Sequence, residues 1–117
     1  SSDLGLVAAA GTVSYCVSKA GVVQLSRAMA LDLAEFGIRV VALCPGDVLT
    51  GMLRSSIRQR GMTEAEGLTL LSERMPLKRV AEVGEMARVI LFLASERAAF
   101  VTGTEVSADG GTSARGP

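Results

Sequence analysis

The sequence predicts an α/β fold built around a buried parallel strand. Residues 14–35 read as one long helix, and the run at 38–44 (Ile-Arg-Val-Val-Ala-Leu-Cys) is short, almost continuously apolar and rich in β-branched residues. Such a run reads as a strand covered on both faces. A helix leading into it is half of a βαβ unit. Further on, an amphipathic helix at 82–95 and a final short strand at 104–107 extend the same pattern.

In chain order, residues 1–11 form a loop whose small residues, Ala8-Ala9-Ala10-Gly11, allow close backbone approach. Ser14 is placed as a helix cap or first-turn residue. The first helix carries apolar residues on more than one stripe (Val17, Val23, Leu25, Met29, Leu31, Phe36), with a narrow polar set of Gln24, Arg27, Asp32 and Glu35. A helix of that kind has a second burial partner besides its own sheet. Gly37 is the expected C′ residue. Pro45-Gly46 stops the strand, and such a turn needs no functional cause. In open parallel sheets, however, ligands bind beyond the carboxyl ends of the strands, where this turn lies.

Residues 51–79 are expected to hold two short helices, 52–59 and 63–74. Thr63 caps the second, with Glu66 three residues on as a capping box. Met52, Leu53, Met62, Leu68, Leu71 and Met75 either line an apolar pocket or pack this segment on the core. In the helix at 82–95, Val83, Met86, Ala87, Val89, Ile90, Phe92, Leu93 and Ala94 are expected to face inward. Asp109-Gly110-Gly111 closes the fold, and residues 112–117 are expected to fray.

Composition narrows the function classes. The 117 residues carry twelve basic and twelve acidic side chains, so there is no electrostatic footprint for nucleic acid or an acidic membrane. No apolar run approaches the ~18 residues of a membrane span. Histidine is absent, which removes Ser-His-Asp hydrolysis and His-ligated zinc, and no metal site is expected. Cys16 and Cys44 are far apart without C-x-x-C spacing. They read as reduced, partly buried thiols of a reducing, cytoplasmic compartment.

The chemistry concentrates at Tyr15 and Lys19. Four residues apart on a helix, they share a face with Cβ atoms roughly 5–6 Å apart. A phenol ordinarily loses its proton near pH 10, and an adjacent ammonium favours the phenolate. The pair is therefore a candidate phenolic acid/base. Such a pair also arises by chance on a solvated surface, so its company decides. Ser2 stands thirteen residues before Tyr15. Pro45-Gly46-Asp47-Val48-Leu49-Thr50 begins thirty residues after it, and Thr102-Gly103 leads to Asp109-Gly110-Gly111 near the end.

Together these motifs resemble the short-chain dehydrogenase/reductase family, over residues 1 to about 111 and in its C-terminal half only. The resemblance implies a Rossmann-like, doubly wound parallel sheet whose first βαβ half is absent from this sequence. Residues 1–117 are then the C-terminal catalytic part of one domain, with a substrate flap at about 51–79. It implies hydride transfer between NAD or NADP and an alcohol or ketone, with Tyr15 as acid/base, Tyr15 and Lys19 also in the cofactor site (Lys19 at the nicotinamide ribose), and Ser2 orienting the substrate oxygen. Ser2 is otherwise a loop serine bonding its own backbone, and Ser1 is its competing neighbour. Pro45, Gly46, Val48 and Thr50 are implied in nicotinamide binding, Val48 through its backbone and Thr50 through its hydroxyl. Asp47 and Leu49 occupy variable places and receive no role. Family members assemble as dimers or tetramers through the first helix, so a homodimer or homotetramer is expected.

The chain opens on Ser1-Ser2 without the glycine-rich turn that takes the cofactor pyrophosphate. It is therefore read as a fragment of a larger enzyme or a subset of a longer chain. Two other readings compete. One is a non-redox member of the same fold such as the halohydrin dehalogenases, which carry arginine where Lys19 stands. The other is a truncated or inactive oligomerisation or binding module.

Overall fold

A computed structural model describes residues 1–114. Its helices are α1 (Val13–Leu33), α2 (Gly51–Gln59), α3 (Glu64–Arg74) and α4 (Val83–Ala94), and its strands are β1 (Val41–Pro45) and β2 (Thr104–Ala108). The strands pair in parallel, from Val41 opposite Thr104 to Pro45 opposite Ala108. Side chains alternate across a strand. Ala42 and Cys44 bury against Val23 of α1 on one face, while Val41 lines a recess with Ile90 and Leu93 of α4 on the other. The result is three layers, helix, sheet and helix, the doubly wound arrangement.

The local signals explain the ends of these elements. After α1 a tight helical turn, Ala34–Phe36, ends at Gly37, whose φ of 70° suits glycine and whose N–H donates to Ala34 O. Ser14 lies inside the first turn. Thr12 holds the cap position without a side-chain cap bond, and its hydroxyl donates instead to Ala9 O at 2.7 Å.

The strand starts at Val41 rather than Ile38, because its partner starts at Thr104. Just before that point the Thr102 hydroxyl substitutes for a strand, accepting from Val40 N at 3.0 Å. Arg39 turns out of the sheet and donates to the carbonyls of Leu93, Ser95 and Val101. A cation at the carbonyl end of α4 also suits the helix dipole.

The Thr63–Glu66 capping box forms as expected, and a second one, Glu82 with Glu85, starts α4. Two hydrogen bonds from the Arg79 guanidinium, aided by Glu82 N–H, hold the Glu85 carboxyl down at about 2.

The inward set proposed for α4 is too broad. Met86, Val89 and Leu93 are half-buried, whereas Ala87 and Ala94 are exposed and Val83, Ile90 and Phe92 expose about half their surface or more. The helix is apolar nearly all round, and a two-stranded sheet covers only one stripe of it.

The closing turn is more ordered than expected. Thr112–Ala114 form a helical turn, and residues 115–117 lie outside the described residues. Asp109 is the cause: its buried carboxylate accepts from Gly111 N at 3.0 Å and Ser113 N at 2.8 Å. Burial pushes its pKa up, but these hydrogen bonds outweigh burial and hold it below the ordinary carboxylate value. Asp109→Ala leaves the part-buried Gly111 and Ser113 N–H groups without partners, so urea unfolding is expected to show a loss of about 1 kcal/mol or more.

Candidate functional site

Tyr15 and Lys19 rise from the first two turns of α1. The Lys19 ammonium sits over the Tyr15 ring, 5.2 Å from its centre, within the range of a cation–π contact. Tyr15 as a residue is 42% exposed. The two side chains therefore meet as the spacing predicts. Cys16 and Cys44 are both free thiols, and Cys44 is fully buried.

Ser2 precedes a helical turn, Asp3–Gly5, that lies directly on α1. Gly5 permits this approach, since a Cβ there would stand 2.8 Å from Lys19 O. The Ser2 hydroxyl donates to Asp3 Oδ1 at 3.0 Å and accepts from Leu4 N at 3.3 Å. It thus caps its own turn, as a loop serine does, while also lining the cavity that holds Tyr15. Ser1 points elsewhere, its hydroxyl donating to Lys19 O at 3.0 Å. Between the two serines, geometry favours Ser2.

The turn after β1 supplies the facing wall. A Cβ on Gly46 would stand 2.9 Å from Asp109 Cα, so only glycine lets this turn pass the closing loop. Val48 forms a parallel bridge with Ala81, made by Ala81 N to Asp47 O at 3.0 Å and Leu49 N to Ala81 O at 2.9 Å. In that pattern the N–H and C=O of Val48 itself point away from Ala81. Thr50 caps α2, its hydroxyl accepting from Leu53 N at 3.3 Å.

One cavity of about 380 Å³ gathers Ser2, Tyr15, Gly46, Val48 and Thr50. Lys19 and Pro45 are not on its wall. Lys19 stands behind the Tyr15 ring, and Pro45 is held in the sheet opposite Ala108. Of the six apolar residues at 51–79, only Met52 and Leu53 reach the cavity. Met62 and Leu71 line a separate small void between α2 and α3 beside Gly67 and Ile57, where a Cβ on Gly67 would collide with Ile57. Met75 is buried on another recess, lined by Arg79, Glu85 and Asp109. Leu68 lines neither.

Two acidic residues on the wall were not singled out from the sequence, Asp3 and Asp47. Burial pushes both carboxyls up, opposed at Asp3 by the Ser2 and Leu4 hydrogen bonds. At Asp47 the Asp3 charge adds to burial, and Arg60 and Arg74 oppose it. The sequence signal was positional: Asp47 directly follows the Pro-Gly turn at the carboxyl end of a parallel strand.

Among the described residues no group of three or more Cys, Asp or Glu is placed to hold a metal ion. No described helix is long and apolar enough to cross a membrane.

Comparison with known proteins converges on one family. A family model described as enoyl-(acyl carrier protein) reductase matches residues 1–113. The oxidoreductase UcpA of Salmonella typhimurium is 40% identical over 108 residues, 92% of this chain and 41% of that protein. A short chain dehydrogenase family protein from Francisella tularensis superposes with a TM-score of 0.89 at 32% identity, over 97% of this chain and 49% of that one. An NADPH-bound short chain oxidoreductase from Pseudomonas aeruginosa, containing an atypical catalytic center, gives a TM-score of 0.86 at 32% identity, over 98% and 44%. The chain thus spans less than half the length of the relatives it matches. The parallel three-layer fold, the match over residues 1–113 and these likenesses agree: the chain belongs to the short-chain dehydrogenase/reductase family of oxidoreductases.

Proposed function

We propose that this chain is the C-terminal catalytic part of an NAD(P)-dependent enzyme that interconverts an alcohol and a ketone. The observation that carries the reading is the cavity in which Ser2, Tyr15 and the Gly46–Thr50 turn converge. A nicotinamide cofactor, when bound, supplies or accepts the hydride. The residues fit its carboxamide: Val48 offers one N–H and one C=O on the side away from Ala81, and an amide has both a donor and an acceptor to satisfy. Gly46 and Thr50 flank that peptide on the same wall.

The chain's own residues then move the proton. In reduction the Tyr15 hydroxyl donates to the carbonyl oxygen as that oxygen becomes an alcohol. In oxidation the same phenol oxygen removes the alcohol proton. The Lys19 charge lies over the ring, where negative charge develops as the proton leaves. The Ser2 hydroxyl, turning its one proton from Asp3 Oδ1 to the substrate, holds the reacting oxygen beside Tyr15. Residues 51–79, with Met52 and Leu53 on the cavity, act as the substrate flap. Val17, Leu25 and Leu31 of α1 lie more than half exposed, a surface suited to covering by another protomer in a homodimer or homotetramer.

Calorimetric titration of the whole protein with NADH and NADPH tests the reading. Saturable binding of at least one is expected, with much weaker binding by the 117-residue segment alone. If the whole protein binds neither, the oxidoreductase reading fails, and a non-redox member of the fold or a non-enzymatic binding module becomes the better account.

A further inference from the structure

We propose that Asp47 is a specificity-determining residue, its carboxylate favouring substrates that carry a cationic or hydroxyl donor and disfavouring those that carry a carboxylate. The proposal rests on the reading of the cavity as the place where the carbonyl reacts.

Asp47 is fixed at its backbone. Its carbonyl accepts from Ala81 N at 3.0 Å, and the preceding Gly46 lies wedged against the Asp109 backbone. Asp47 is half-buried and lines the cavity shared by Tyr15 and Ser2, where Asp3 also stands, as well as the void between α2 and α3 and the recess beside Met75. The three neighbouring carboxylates differ in one respect. Asp3 already accepts from Leu4 N and the Ser2 hydroxyl, and Asp109 from Gly111 N and Ser113 N. Among the described residues, Asp47 accepts no hydrogen bond on its carboxylate and forms no ion pair, and its oxygens are not sealed from solvent.

A half-buried carboxylate that no donor bonds gains from a donor that reaches it. The cations that bear on it, Arg60 and Arg74, are exposed and therefore screened. Asp3, on the same wall, adds a second negative charge. An incoming carboxylate meets two like charges there, whereas an ammonium or hydroxyl meets an unfilled acceptor. Selection therefore works by repulsion as well as attraction.

The test uses the whole protein with reduced nicotinamide and three matched carbonyls: acetoacetate, its neutral methyl ester, and an amino ketone of similar length. The wild-type protein is expected to favour the amino ketone in kcat/KM. Asp47→Asn keeps the shape and the backbone bond and removes the charge. It is expected to lower the amino-ketone to acetoacetate preference about tenfold or more, with the methyl ester little changed. Asp47→Ser, which also removes the charge, is expected to shift the preference the same way. If both variants turn over the methyl ester normally and the preference does not move, Asp47 does not select substrates, and the functional reading stands. If the wild-type protein turns over none of the three and binds no nicotinamide, the functional reading fails and the inference falls with it.

Discussion

Replacing Tyr15 with Phe is expected to lower turnover of the whole protein by more than ~10²-fold, the low end for a positioned acid/base. The substitution removes one oxygen. The ring that Lys19 covers remains, and since Tyr15 is partly exposed, little packing changes. Cofactor affinity and the unfolding midpoint are therefore expected to hold while kcat falls. This split separates loss of proton transfer from loss of structure. Retained turnover in the Phe variant would remove Tyr15 from the chemistry and leave Ser2 and Lys19 without a partner to serve.

The second large effect lies at a residue with no chemistry. Gly5→Ala places a methyl group 2.8 Å from Lys19 O and 3.0 Å from Lys19 C, both backbone atoms of α1. Neither can rotate away, so the Asp3–Gly5 turn has to lift. That turn carries Ser2, and its neighbour Ser1 is tied to the same Lys19 carbonyl. The expected cost is about 1–3 kcal/mol in urea unfolding, the range for overpacking. Because a misplacement of about 1 Å at a reacting centre can cost ~10²-fold, turnover should fall further than stability alone explains. Full activity in a folded Gly5→Ala protein would show that the seat of Ser2 on α1 is not needed.

The fold was legible where the sequence pattern has one physical cause. The β-branched run ending in Pro45-Gly46 fits nothing but a strand, and the Thr63–Glu66 pair fits a helix start. Periodicity was less informative where a helix is apolar nearly all round. In α4 it could not separate Met86, Val89 and Leu93, which are half-buried, from Val83, Ile90 and Phe92, which expose about half their surface or more. The strand boundary was off by three residues because it depends on a partner sixty residues away, and on a threonine hydroxyl that substitutes for a strand there.

The candidate site was legible in the placement of its proposed reacting groups and not in its walls. Spacing alone brought Tyr15 and Lys19 together, and the order of motifs brought Ser2 and the Gly46–Thr50 turn to the same cavity. Asp3 went unremarked and Asp47 was given no role, because their burial and mutual repulsion arise from the fold, which no local pattern encodes. For Met62, Leu71 and Met75 the sequence left pocket lining and packing on the core open; the first two lie in the contact between α2 and α3, where Gly67 wedges on Ile57, and Met75 buries elsewhere.

The most direct measurement follows the hydride itself. The whole protein is given a ketone and reduced nicotinamide deuterated at the transferring carbon, and the alcohol is examined by mass spectrometry and NMR. One deuterium on the carbinol carbon is the predicted result, at a rate that collapses in the Tyr15→Phe protein. Alcohol formed without the label, or label transferred equally fast without the phenol oxygen, would contradict the account.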